Sequence, residues 1–300
     1  MLNKRLSNRS KSRGVTLIEL LVGVTIGLLL ALVASSTYLF SKQTFNTVTE
    51  VSQMEENGRF ALNLLARYVQ SAGFSMIDPK ANLAAGGLDN KISGCDNGYT
   101  TMSASSPNFT CLASAPTGQL PSAGIRTIFE TDAPLGGSAN FQGANCIGNG
   151  AAPVVVDGVT KTYLVTSYFY VSTATAQTAY GTATMGQLSC LSDDSTLTAP
   201  NTYQIQPIIP GIQQIAANYL VSTSATGGQL AQTAAAVTTA ASWPSVAAIE
   251  LCVLAKSIGP SNNDTGKTYT DCYGTAITAN PNETYRTFRS TVNLRNVILQ

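Results

Sequence analysis

The chain opens on a polarity boundary. Residues 1–14 carry Lys4, Arg5, Arg9, Lys11 and Arg13 and no acid, whereas Val15 to Ala34, VTLIELLVGVTIGLLLALVA, is apolar with one ionisable group, Glu19. That is about the length that crosses a hydrocarbon core as a helix. All five basic groups precede it, which predicts a single pass with the N-terminus in the cytoplasm and the body outside. No proline occurs before Pro79 and no glycine between Gly27 and Gly58, so the helix is expected to continue. Over 35–74, Val48, Val51, Leu62, Leu65, Val69 and Ala72 fall at helical spacings, with Glu50, Glu55, Glu56 and Arg59 at polar positions, the pattern of an amphipathic continuation. Gly73 is placed to cap it and Pro79 to close the region.

Beyond residue 75 the period changes. Turn-rich loops separate β-branched runs at 124–130, 154–172 (bent at Asp157-Gly158), 204–222, 246–256 and 284–298. In the last, Tyr285, Thr287, Arg289 and Thr291 alternate with Arg286, Phe288, Ser290 and Val292, as a strand requires. The Ala- and Thr-rich stretch 222–242 reads as a surface excursion between two strands. The expected architecture is α+β: a long N-terminal helix, transmembrane over 15–34 and amphipathic over 35–74, packed on an antiparallel β-sheet head formed by 75–300.

Composition narrows the chemistry. The chain has no histidine, which excludes Ser-His-Asp and Cys-His nucleophiles and His-ligated metals. The six cysteines lack CxxC spacing, pointing to disulfides in an oxidising compartment. Pairing of sequence neighbours is expected, Cys95-Cys111, Cys146-Cys190 and Cys252-Cys272, because each closes a surface loop. Without the leader's five basic groups, 17 become 12 against 16 acids, a balance unsuited to phosphate binding, so no specific nucleic-acid partner is expected. Asn262, Asn263, Asp264 and Asp271 form an oxygen-rich loop without EF-hand spacing. Asp132 and Asp193-Asp194 lack a partner for paired-carboxylate chemistry. The Gly-Gly pairs at 86, 136 and 227 lack the Lys-Ser/Thr of a phosphate loop. No metal, no cofactor and no enzymatic activity are expected.

Glu19 is the anomaly. A charge inside lipid costs about 2.5–3.5 kcal/mol, and the helix macrodipole returns only about 0.3–1 kcal/mol of it. Cleavage after Gly14 would supply a better partner: an α-ammonium on Val15, which Glu19 of the same chain or of a neighbouring helix neutralises. Gly23 and Gly27 form a GxxxG pair that allows close helix packing. The alternative is an ordinary secretory signal cut near Ala34-Ser35-Ser36.

The basic leader, Gly14 and Val15-Thr16-Leu17-Ile18-Glu19-Leu20-Leu21 resemble the class III signal of type IV prepilins, with Val15 where phenylalanine is usual and without the helix-kinking proline of major pilins. The resemblance implies cleavage at Gly14 by prepilin peptidase, methylation of the Val15 amine, and pairing of that amine with Glu19. EENGRFALNLLARYVQSAGF, residues 55–74, is similar to a stretch of PilW-type minor pilins, with Asn57, Gly58 and Arg59 in the shared motif. So are IIPGIQQIAANYLV, SWPSVAAIELCVLAKS and FRSTVNLRN near the C-terminus. The chain departs from that pattern at Tyr68-Val69-Gln70 and Met76. Arg59 is either a motif residue pairing with a neighbouring subunit's acid or a solvated or intrachain charge.

The family implies a minor pilin of a pilus initiation or tip complex, serving motility, adhesion or DNA uptake. Implied partners are other minor pilins, the major pilin, prepilin peptidase, the inner-membrane assembly platform and a tip adhesin. The implied location is the inner membrane with the head in the periplasm, then the pilus surface. A minor pseudopilin of type II secretion and a membrane-anchored binding module are the alternatives.

Overall fold

A computed structural model describes residues 14–74, 91–131, 145–148, 152–156, 159–178, 181–193, 202–222, 228–259, 266–280 and 283–295. The basic leader residues, Met76, Pro79, Asp132, Asp157-Gly158, Asp194, Asn262 to Asp264, Gly86, Gly136 and Gly227 lie outside them. Helix α1 spans Leu17–Ser71, two residues short of the expected start and three short of residue 74. The chain divides into two compact units, Met1–Val48 and Thr49–Gln300.

In the first unit every described side chain from Gly14 to Phe45 is exposed, and α1 is long and apolar enough there to cross a membrane. Around Gly23 and Gly27 an added Cβ would meet nothing within 4 Å. This stretch is apolar all round, so it can be stable only in lipid or among other helices.

In the second unit α1 lies on two antiparallel sheets. One has the order β1 (Ile92–Cys95), β4 (Gly124–Thr131), β6 (Val159–Thr178), β7 (Gly181–Asp193), β8 (Tyr203–Pro210), with β5 (Ala152–Val156) also paired to β6. The other has the order β10 (Gln229–Gln232), β9 (Ile212–Ser222), β11 (Val246–Lys256), β14 (Tyr285–Asn293). Gly211 links β8 to β9 at φ +81, where its N–H donates to Gly186 and its carbonyl accepts from Lys256. Two hairpins complete the head: β2 (Tyr99–Thr101) with β3 (Asn108–Cys111), and β12 (Thr268–Thr270) with β13 (Ala276–Thr278).

The helix line that meets the sheets is Met54, Gly58, Ala61, Leu65 and Val69, all buried. The expected stripe holds at Leu65, Val69 and Ala72 and shifts at its other positions. Val48 is exposed, Val51 and Leu62 are half-buried, and the true line runs through small residues that let α1 approach the strands. It packs on Ile125, Phe169 and Leu188 of the first sheet and Ile249, Leu251, Val253 and Val292 of the second, within one apolar core. Gly73, at φ +76, turns the chain after α1, and its N–H donates to the Ile128 carbonyl.

Residues 228–242 lie between β9 and β11 and are mostly exposed, as a surface excursion would be, but they carry structure of their own. The stretch holds β10, which pairs with β9, and a short helix α2 (Ala234–Thr239) whose N-terminus is capped by the Thr233 hydroxyl. Ala234, Val237 and the adjoining Trp243 are buried in the core, whereas Ala231, Ala235, Ala236, Ala240 and Ala241 are exposed. Disulfides join Cys95 to Cys111, Cys146 to Cys190 and Cys252 to Cys272, with Cα separations of 5.2, 6.3 and 5.6 Å. Cys252 and Cys272 pin the β12–β13 hairpin over the face of the second sheet opposite α1, enclosing Leu254 and Ala216.

Candidate functional site

Two groups of residues stand out. The first is the head of α1. Thr16 precedes the first helical residue and Glu19 follows three positions on, and the two form a reciprocal capping box. The Thr16 N–H and hydroxyl both donate to Glu19 Oε2 at 3.0 Å, and the Glu19 N–H donates to Thr16 Oγ1 at 3.3 Å. The carboxylate is thereby held back over the helix start on Thr16, at the positive end of the macrodipole. Thr16 was missed as a functional residue, although Thr-x-x-Glu ahead of an apolar run is a legible N-terminus signal. Gly14 and Val15 are exposed and non-helical, an accessible peptide bond.

The second group is the Asn57-Gly58-Arg59 motif with its neighbours. Asn57 Nδ2 donates to the Pro210 carbonyl at 3.2 Å, fixing α1 to the β8–β9 corner. A Cβ on Gly58 would overlap the Phe288 ring of β14, so only glycine admits that ring. Two acids of α1 extend the attachment. Glu50 accepts from the Gly259 N–H at 2.6 Å just beyond β11, and Glu55 pairs with Arg286 of β14. Arg59 is exposed and, with Leu62, Asn63, Arg286, Thr287, Phe288 and Arg289, lines a cleft of about 430 Å³ between α1 and β14. The motif is thus a docking device on one flank and an open cationic surface on the other.

Tyr68 accounts for the departure from the family pattern at 68–70. Its ring packs on Phe169 at 4.9 Å and Phe129 at 6.4 Å, and burial pushes its hydroxyl up to about 12. An acidic residue there would face an aromatic wall.

Elsewhere the ionisable groups serve the scaffold. Burial opposes ionisation of Glu283, but hydrogen bonds from Lys256 (2.5 Å), Tyr285 (2.8 Å) and Asn280 (3.0 Å) outweigh it and hold the carboxyl below its ordinary value. Asp271 accepts from the Tyr273 and Thr275 N–H groups and from Gln214 Nε2, so its oxygens are engaged in a turn. Among the described residues, no cluster of three potential ligands is arranged to hold a metal.

The family model of type IV pilus-assembly protein W matches residues 168–296, which run from within β6 to three residues past β14. The model of the prokaryotic N-terminal methylation motif matches residues 9–35. Among solved structures, a type IV-like pilin from Thermus thermophilus is similar, with 12% identity over 81% of this chain and 97% of that one and a TM-score of 0.37. No curated protein matches. The chain is thus similar to PilW-type type IV pilin-like proteins in two separate parts: a methylation motif heads its exposed apolar helix, and the PilW match takes in strands of both sheets on which the helix continuation docks.

Proposed function

We propose that this chain is a minor pilin of the initiation or tip complex of a type IV pilus. Prepilin peptidase cuts between Gly14 and Val15 and methylates the new amine. Glu19 then neutralises that amine, within the chain or on a neighbouring subunit, and so sets the stagger between adjacent helices. The observation that supports this reading is the Thr16–Glu19 box, which holds the carboxylate on the Thr16 N–H, one residue from the Val15 nitrogen.

Gly23 and Gly27 serve close packing of the apolar helix against other subunits. Before assembly the protein is a single-pass inner-membrane protein with an oxidised head in the periplasm; afterwards the head is at the pilus surface. Its partners are the major pilin, other minor pilins, the assembly platform and a tip adhesin. The role is structural, and none of the groups described above is arranged for catalysis. The 286 residues left when 14 are removed from 300 make a bulky subunit, which suits a tip better than a closely stacked shaft.

The test is gene deletion, scoring surface pili and twitching against exoprotein release. The expected result is loss of pili with secretion intact, restored by the wild-type gene and not by Glu19→Ala. Loss of secretion with pili intact would place the protein in a type II pseudopilus instead.

A further inference from the structure

Among the described residues, the outer edge of β14 is an open hydrogen-bonding ladder beside a cationic cleft. β14 is the last strand of its sheet. The Leu294 N–H donates to Ala247 and the Ser257 N–H to Thr284, and these bonds flank the pairs Asn293↔Ala248 and Tyr285↔Lys256. In an antiparallel ladder those flanked pairs do not bond to each other, and the phase alternates by one residue. The even-numbered residues of β14 therefore bond to β11, while Thr287, Arg289 and Thr291 point N–H and C=O outward. Unpaired edges of this kind template a further strand.

Three arginines and one acid, Glu55, lie beside the edge. Arg59 and Arg286 lie on the α1 side and Arg289 on the opposite face. Arg289 donates to the backbone carbonyls of Asp271 (3.3 Å) and Cys272 (3.0 Å), which leaves its charge without a carboxylate among the described contacts. Glu55 neutralises Arg286, and Glu250 lies one strand inward, opposite Thr291. The half-buried Leu62 and Phe288 give the cleft an apolar floor.

We propose that this edge is a docking site for an extended acidic segment of another protein chain, which adds as a fifth strand outside β14. Its backbone pairs with Thr287, Arg289 and Thr291. An aliphatic side chain enters the cleft over Leu62 and Phe288, and carboxylates meet Arg59 on one face and Arg289 on the other. A second copy of this chain is disfavoured, because pairing β14 with itself gathers both sets of arginines at one seam, and like charges across strands destabilise.

The test uses the full chain in detergent micelles, with amide NMR and hydrogen exchange. The probe is a capped hexapeptide, Thr-Val-Glu-Glu-Val-Thr, with Thr-Val-Lys-Lys-Val-Thr as control. Expected are saturable shifts and slowed exchange confined to the amides of Thr287, Arg289 and Thr291, for the Glu peptide only. Arg59→Glu with Arg289→Glu should weaken binding about 10-fold or more. Thr291→Pro, which removes only an outward donor, should abolish it. Equal binding of both peptides, shifts away from β14, or unaltered binding by Arg59→Glu alone with Arg289→Glu alone would overturn the proposal. Protection of the same amides at high protein concentration without peptide would assign the edge to a second copy and overturn it as well.

Discussion

The two stretches of α1 solve opposite problems with the same backbone. Over 17–34 its side chains are aliphatic on every face and all exposed, so their solvent must come from outside the chain. Over 54–69 one line, Met54, Gly58, Ala61, Leu65 and Val69, is buried under the head's own sheets, flanked by half-buried Leu62, Leu64, Ala66 and Tyr68. Overall hydrophobicity therefore selects the medium, while the width of the apolar stripe selects between external and internal partners. Polar residues follow the same division. Glu19 is held by its own helix start, whereas Glu50, Glu55 and Asn57 reach across to strand ends.

The sharpest way to break this comparison is to make one truncation in both stretches. Leu65→Ala should cost the head about 2–5 kcal/mol by opening a cavity. Leu29→Ala should leave head unfolding within about 0.5 kcal/mol. Denaturant titration of the full chain in detergent measures both, and equal losses would show that the first stretch is also packed within the chain. Glycine offers a second contrast: Gly58→Val should cost about 1–3 kcal/mol by overpacking against Phe288, and Gly27→Val should not change the head's melting temperature.

A smaller effect belongs to the helix start. Thr16→Ala should cost about 1 kcal/mol of local helix stability, read as faster amide exchange over residues 17–20, with the exchange of residues 61–69 unchanged. The smallest is pH-dependent. Glu283 titrates below its ordinary value when folded, so its contribution is complete above the unfolded-state pKa and is lost as pH falls through the lower folded one. Glu283→Gln should therefore flatten acid destabilisation below about pH 4.5, a shift of less than about 1 kcal/mol in thermal melts taken across that range.

Much of this organisation is written locally. The apolar run, the uninterrupted helix and the alternation in β14 are periodicities that neighbouring residues carry by themselves. What tertiary packing decides is less legible. Met54, Gly58 and Ala61 form the docking line because Phe288 needs space and the strands need close approach, and neither Gly nor Ala announces itself as core. Ala234 and Val237 are core only because β10 folds back on β9, a pairing that an alanine- and threonine-rich stretch does not advertise. Arg59 could be named from its motif, but the cleft it lines exists only once β14 lies alongside α1. The Thr16–Glu19 box is different, since a four-residue Thr-x-x-Glu pattern ahead of an apolar run is legible without any tertiary contact.

The account turns on the bond between Gly14 and Val15. Mass spectrometry of the N-terminal peptide of protein purified from its native membranes tests it most directly. The predicted result is a peptide beginning at Val15 and carrying one methyl group on its amine. An intact Met1 terminus, or one beginning near Thr37, would contradict it.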